Sequence, residues 1–142
     1  MDLLDLKTEF TQDPSNLGYG QATTQGKVEL INAVSPVIAI AQRVATGNIL
    51  RYLAQAPFRL PALPVEIQAA WKTELSLILG ISDFDVSDVS FQTMLSLGES
   101  QGVITTPEVT AITALGTRPG SRAEQLWGAS TLVSLNDAAS VM

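Results

Sequence analysis

The chain has no cysteine and no histidine among its 142 residues. Without cysteine there are no disulfides, zinc ribbons, iron–sulfur clusters or thiol nucleophiles. Without histidine there is no Ser-His-Asp or Cys-His catalysis and no histidine-bearing metal site. Charge is scarce as well: only 15% of the residues are Asp, Glu, Lys or Arg, against about 25% in ordinary soluble domains. Lys72 is the only lysine after Lys27. Nucleic acid is therefore not an expected partner, because no cluster of Lys and Arg is present to displace counterions from phosphates. Long apolar runs are missing too. The best stretch, residues 33–41, is interrupted by Ser35 and Pro36 and falls far short of the roughly 20 residues of a membrane-spanning helix, so no membrane insertion is expected. Asp2 and Asp5 stand where a signal peptide carries positive charge, so the expectation is a chain made and used without secretion.

What is present is acidic and apolar. Fourteen acids against eight bases give a formal charge of −6, and the isoelectric point is about 4.4. The imbalance is uneven: residues 1–71 hold 6 acids and 5 bases, residues 72–142 hold 8 acids and 3 bases. Hydrophobic residues make up 46% and the mean hydropathy is +0.24. Much of the surface must then be Ser, Thr, Gln, Ala and apolar side chains. That composition suits a chain partly covered by partners, or a plain bias toward small residues. The length fits one domain with a core of its own.

Hydrophobic spacing predicts a mainly α fold. Residues 2–11 read as a short helix with Leu3, Leu6 and Phe10 on one face, stopped by Asp13-Pro14 and the glycines Gly18 and Gly20. Thr24 is placed to cap a second helix to about Val34, with Val28, Ile31 and Val34 inward. Pro36 breaks it, and Val37-Ile38-Ala39-Ile40 reads as a short strand or an extended arm. A short helix around Ile49, Leu50 and Leu53 is expected to end at Pro57. Residues 57–64 carry three prolines among apolar side chains and read as a stiff extended segment, not helix, with Pro64 also well placed near the first turn of the next helix.

The strongest helical pattern is Val65–Leu79, where Ile67, Trp71, Leu75 and Ile78 share a face and Gly80 follows. Ser87 is a candidate cap for a helix to about Leu97 with Phe91, Met94 and Leu95 inward. Thr106-Pro107-Glu108 opens another, with Val109, Ile112 and Leu115 in a row. Ser121 precedes a short helix Arg122–Trp127, and Ser134 to Asp137 resembles a capping box. The expectation is about six or seven short helices. An extended, proline-rich N-terminal region (residues 1–64) would precede a compact helical part (residues 65–142), with one domain overall.

No motif carries chemistry. Asp83 to Asp88 resembles the start of a calcium loop, but Asp88 and Met94 stand where such a loop needs Gly and Glu, so a solvated acidic turn capping a helix is expected. Gly18-Tyr19-Gly20 lacks the third glycine and the preceding strand of a dinucleotide fingerprint. A pair of carboxylates is the one catalytic device the composition leaves open, and nothing in the spacing of Glu66, Glu74, Glu99, Glu108 and Glu124 selects one. No enzyme, metal or cofactor is expected. The residues marked for partner contact are Phe58, Leu60 and Leu63, on a segment with little entropy to lose on docking, and Trp127 beside Gly128.

Two stretches together resemble a known family. Leu6-Lys7-Thr8-Glu9-Phe10-Thr11-Gln12-Asp13-Pro14 with Gly18-Tyr19 is similar to the opening of small proteins encoded among the structural genes of tailed bacteriophages. Gly102-Val103-Ile104-Thr105-Thr106-Pro107-Glu108 and Arg118-Pro119-Gly120-Ser121-Arg122-Ala123-Glu124-Gln125-Leu126-Trp127-Gly128 are similar to phage sequences of the same kind. Residues 35–45 lack the Arg- and Asn-rich run of those proteins. The resemblance implies a role in the virion or its assembly, at the tail or baseplate, for a chain synthesised in the host cytoplasm. The expected protein is a helical adaptor, in several symmetric copies, binding other phage structural proteins. Alternatives are a capsid or neck protein, an assembly chaperone absent from the finished particle and, last, a carboxylate-based glycan hydrolase.

Overall fold

A computed structural model describes residues 1–142. In chain order the elements are α1 (Leu3–Gln12), α2 (Thr24–Asn32), β1 (Val34–Ala41), β2 (Val44–Ala45), α3 (Thr46–Leu53), α4 (Ala56–Arg59), α5 (Val65–Leu79), β3 (Asp83–Phe84), α6 (Val89–Ser100), α7 (Thr106–Ala114), β4 (Thr117–Ser121), α8 (Arg122–Trp127) and α9 (Leu135–Val141), with 3₁₀ turns at Tyr19–Gln21 and Leu60–Ala62. The mainly α class holds. The helices form two compact units: Met1–Ala41 with Arg118–Met142, and Gln42–Thr117 inserted between them. The division expected at residue 64 is not where the chain divides, because Val44, Ile49, Leu53 and Leu60 from before it share one core with Trp71 and Ile78 from after it.

The first unit is built around Leu6, Phe10, Tyr19, Ile31, Ala123, Val133 and Ala138. Asp2 caps α1 by accepting from the Leu4 N–H at 2.9 Å. Leu3, expected inward, is exposed; the buried face carries Leu6, Glu9 and Phe10 instead. Thr23 caps α2 through the Gly26 N–H, and the helix stops at Asn32, which leaves Val34 exposed on β1. β1 pairs with β4, a strand that proline and glycine hid in the sequence. A Cβ at Gly120 would lie 2.0 Å from the Ile40 side chain, so glycine is what lets the two strands approach. Capping boxes open α8 (Ser121 with Glu124) and α9 (Ser134 with Asp137), the second as the spacing anticipates.

The second unit has the larger core, thirteen buried residues from Val44 to Ile112. Here the proline-rich segment departs from its expected form at two prolines, Pro57 in the first turn of α4 and Pro61 in the first turn of the 3₁₀ helix, while Pro64 stands at the start of α5 as expected, as its N-cap. Each occupies a position where the missing N–H removes no helical hydrogen bond, so three prolines in eight residues begin three helices and make no extended arm. The expected extended, proline-rich N-terminal region is therefore not formed. Nine α-helical segments result against the six or seven expected, and α4 in this stretch is one that the sequence pattern does not indicate. Arg59 fastens the segment with two bonds of 2.7 Å to the Glu108 carboxylate and one of 3.0 Å to the Val103 carbonyl.

α5 runs over the expected residues, with Trp71 and Ile78 buried and Ile67 and Leu75 packed beside them. α6 crosses it at Gly98, where an added Cβ would lie 2.7 Å from Ile104 and 2.8 Å from the Trp71 ring. The Trp71 indole N–H donates to Gln101 at 2.8 Å. β2 and β3 pair antiparallel, Val44 opposite Phe84. The N-cap of α6 is Asp88, not Ser87, and the N-cap of α7 is Thr105, whose capping box uses Glu108.

A candidate docking groove

In the second unit, the C-terminal half of α5, the loop and strand after it, and the first turns of α6 enclose a groove of about 550 Å³. Its apolar lining comes from Leu77, Ile78, Ile81, Phe84, Phe91 and Met94. Local sequence explains why it stays open. Ile78 and Phe91 are buried in the core, whereas Leu77 and Ile81 are 58% and 45% exposed. The Phe84 and Phe91 rings stack obliquely at 5.0 Å and form its aromatic end.

Glu74, Asp83, Asp85 and Asp88 also line the groove, with Arg43 as the only base among the lining residues. Arg43 is committed to Asp83, with Nε 2.6 Å from the carboxylate. Asp85 accepts from the Ser87 hydroxyl at 2.6 Å and its backbone N–H at 3.0 Å, and these bonds hold its carboxyl below the usual carboxylate range. Asp88 accepts from Ser90 and Phe91 N–H groups as the helix cap. No salt bridge engages Glu74, Asp85 or Asp88. The acidic turn read in the sequence as a capping, solvated feature is that, and it also borders an apolar depression.

The first unit's side-chain chemistry is concentrated at Glu9 and Arg122. Arg122 donates to both oxygens of the buried Glu9 carboxylate at 2.8 and 3.0 Å. The Tyr19 hydroxyl is buried nearby without a hydrogen-bond partner, and burial first, then the charges of Glu9 and Asp13, push it far above its usual range. Burial also works against the Asp13 carboxylate. Bonds from the N–H groups of Leu17 (2.6 Å), Gly18 (2.7 Å) and Tyr19 (3.2 Å) outweigh it, so the net shift is downward. Arg118 pairs with Glu124 at 2.5 Å, and that bond, with N–H groups of Ser130 and Ser121, holds Glu124 at about 2. These groups are engaged with one another in structural roles, and no cluster of three or more carboxylates stands ready for a metal ion.

The residues marked in the sequence for partner contact part company. Phe58 is 79% exposed and free to meet another chain. Leu60 is 3% exposed and belongs to the core, because it lies on the inward side of the 3₁₀ turn and not on an extended arm. Leu63 is half-buried against that core, and Trp127 is half-buried against the core of the first unit. The groove itself was missed. Its signal in the sequence is the coincidence of an acidic turn with apolar residues left over on α5 after the inward positions are filled. Comparison with known protein families, curated proteins and solved structures gives no match.

Proposed function

We propose that the chain is a structural component of a tailed-phage virion, a helical adaptor at the tail or baseplate that binds other tail proteins in multiple copies. The observation that carries this reading is the likeness of residues 6–19, 102–108 and 118–128 to proteins encoded among phage structural genes. Two features of the molecule support it. Residues 6–19 and 118–128 pack in one unit, joined by Glu9 and Arg122, so two of the three matched runs fall on one folded body, while residues 102–108 lie in the other unit. Large apolar side chains also stand uncovered in both units, Val37 at 88% exposure and Phe58 among them, as on proteins whose surface is completed by neighbours.

Deleting the gene from the phage that carries it should leave particles with incomplete tails in electron micrographs, restored by supplying the chain in trans. Infectious particles of normal morphology would overturn the reading.

A further inference from the structure

We propose that the groove between α5 and α6 receives a short segment of another protein that presents apolar side chains flanked by Lys or Arg. The inference rests on the reading of the chain as an adaptor for other proteins and adds the chemistry of what it holds. Leu77, Ile81, Phe84 and Met94 offer apolar contact that water satisfies poorly. Glu74, Asp85 and Asp88 ring that surface with charge of one sign, and the single base present is occupied by Asp83. An incoming apolar residue flanked by acids would be repelled here, while one flanked by Lys or Arg gains at both places.

A second copy does not meet this description. The chain carries −6 overall, and none of its own bases frames a free apolar segment. Lys7 sits between Asp5 and Glu9, Lys27 beside Glu29, and Lys72 beside Glu74. Arg43, Arg59, Arg118 and Arg122 are each held by a carboxylate. Arg51 remains, but the residues next to it are Leu50, half-buried, and Tyr52, without a second base nearby. The occupant is therefore a different chain.

The test uses the full-length, isotope-labelled protein and two short synthetic peptides: leucines flanked by lysines, and the same leucines flanked by glutamates. The lysine peptide should shift backbone amides of residues 74–94, and its affinity should fall as salt is raised, because screening shortens the reach of the acidic ring to about 3 Å at 1 M. Glu74→Lys and Leu77→Ser, at positions outside the core, should each weaken binding by about tenfold while the thermal melt stays unchanged. Equal binding of both peptides, salt-independent binding, shifts confined to other residues, or no binding at about 1 mM would each overturn the proposal. Self-association that the Leu77→Ser change abolishes would overturn it in favour of a second copy. None of these outcomes depends on whether the protein is found in virions, so the adaptor reading and the groove's occupant fail separately.

Discussion

At Asp13 one carboxylate closes α1 and shapes the turn after it. The residue takes a left-handed backbone, φ 45°, while its side chain collects three N–H groups and sets Tyr19 edge-on to Phe10 with ring centres 5.1 Å apart. Asp13→Ala should cost about 2 kcal/mol by denaturant unfolding, from lost charged hydrogen bonds and a strained φ. Asp13→Asn, which tolerates that backbone, should cost less; equal losses would contradict the account. Arg122→Ala strands the Glu9 carboxylate in the first unit's core and should destabilise by about 3 kcal/mol. In the second unit Leu60→Ser should cost about 2–5 kcal/mol while Phe58→Ser changes stability by no more than about 0.5 kcal/mol. Equal effects at these two neighbours would mean that the 3₁₀ turn is not where the structure places it.

At the scale of elements, α6 approaches the Trp71 ring of α5 at Gly98. An alanine there would gain about 1 kcal/mol in helix propensity, but its methyl would intrude on Trp71 and Ile104. Gly98→Ala should therefore be net destabilising, by about 1–2 kcal/mol, and shift Trp71 fluorescence. A stabilised variant with unchanged emission would contradict the crossing.

Much of this level was legible in the sequence. α5 follows from the spacing of Ile67, Trp71, Leu75 and Ile78, and the cap at Ser134 follows from its partner three residues on. The prolines between residues 57 and 64 misled because proline signals the start of a helix as well as its end, and only the inward fit of Leu60 distinguishes the two. β4 was hidden because its partner β1 lies far away in sequence and its own residues, Pro119 and Gly120, have little strand propensity. The groove escaped for a similar reason. Its parts are legible one by one, but their convergence depends on how α5, the turn and α6 pack.

For the whole molecule, the second unit is an insertion whose ends are tied together, the Gln42 N–H donating to the Gly116 carbonyl at 2.8 Å. With thirteen buried core residues of its own, residues 42–117 expressed alone should fold and melt cooperatively; a non-cooperative melt would show that its core needs the flanking chain. Acid should weaken the native state. Glu124, at about 2, and Glu108, lowered first by its Arg59 bond, sit below their unfolded values near 4.5. Their contribution is complete above that value and is lost as pH falls through the folded values. Tyr19 acts at the other end: its raised folded value means the stability it supports is present below pH 10 and fades above. Stability should be flat from about pH 5 to 9 and fall on both sides.

The proposed place of this chain in a virion is open to direct measurement by quantitative mass spectrometry of gradient-purified particles. The chain should appear in tail-containing fractions at a small, fixed ratio to the tail-tube protein. A ratio matching the major capsid protein would move it to the head, and absence from the particle alongside abundance in the lysate would contradict the virion role outright.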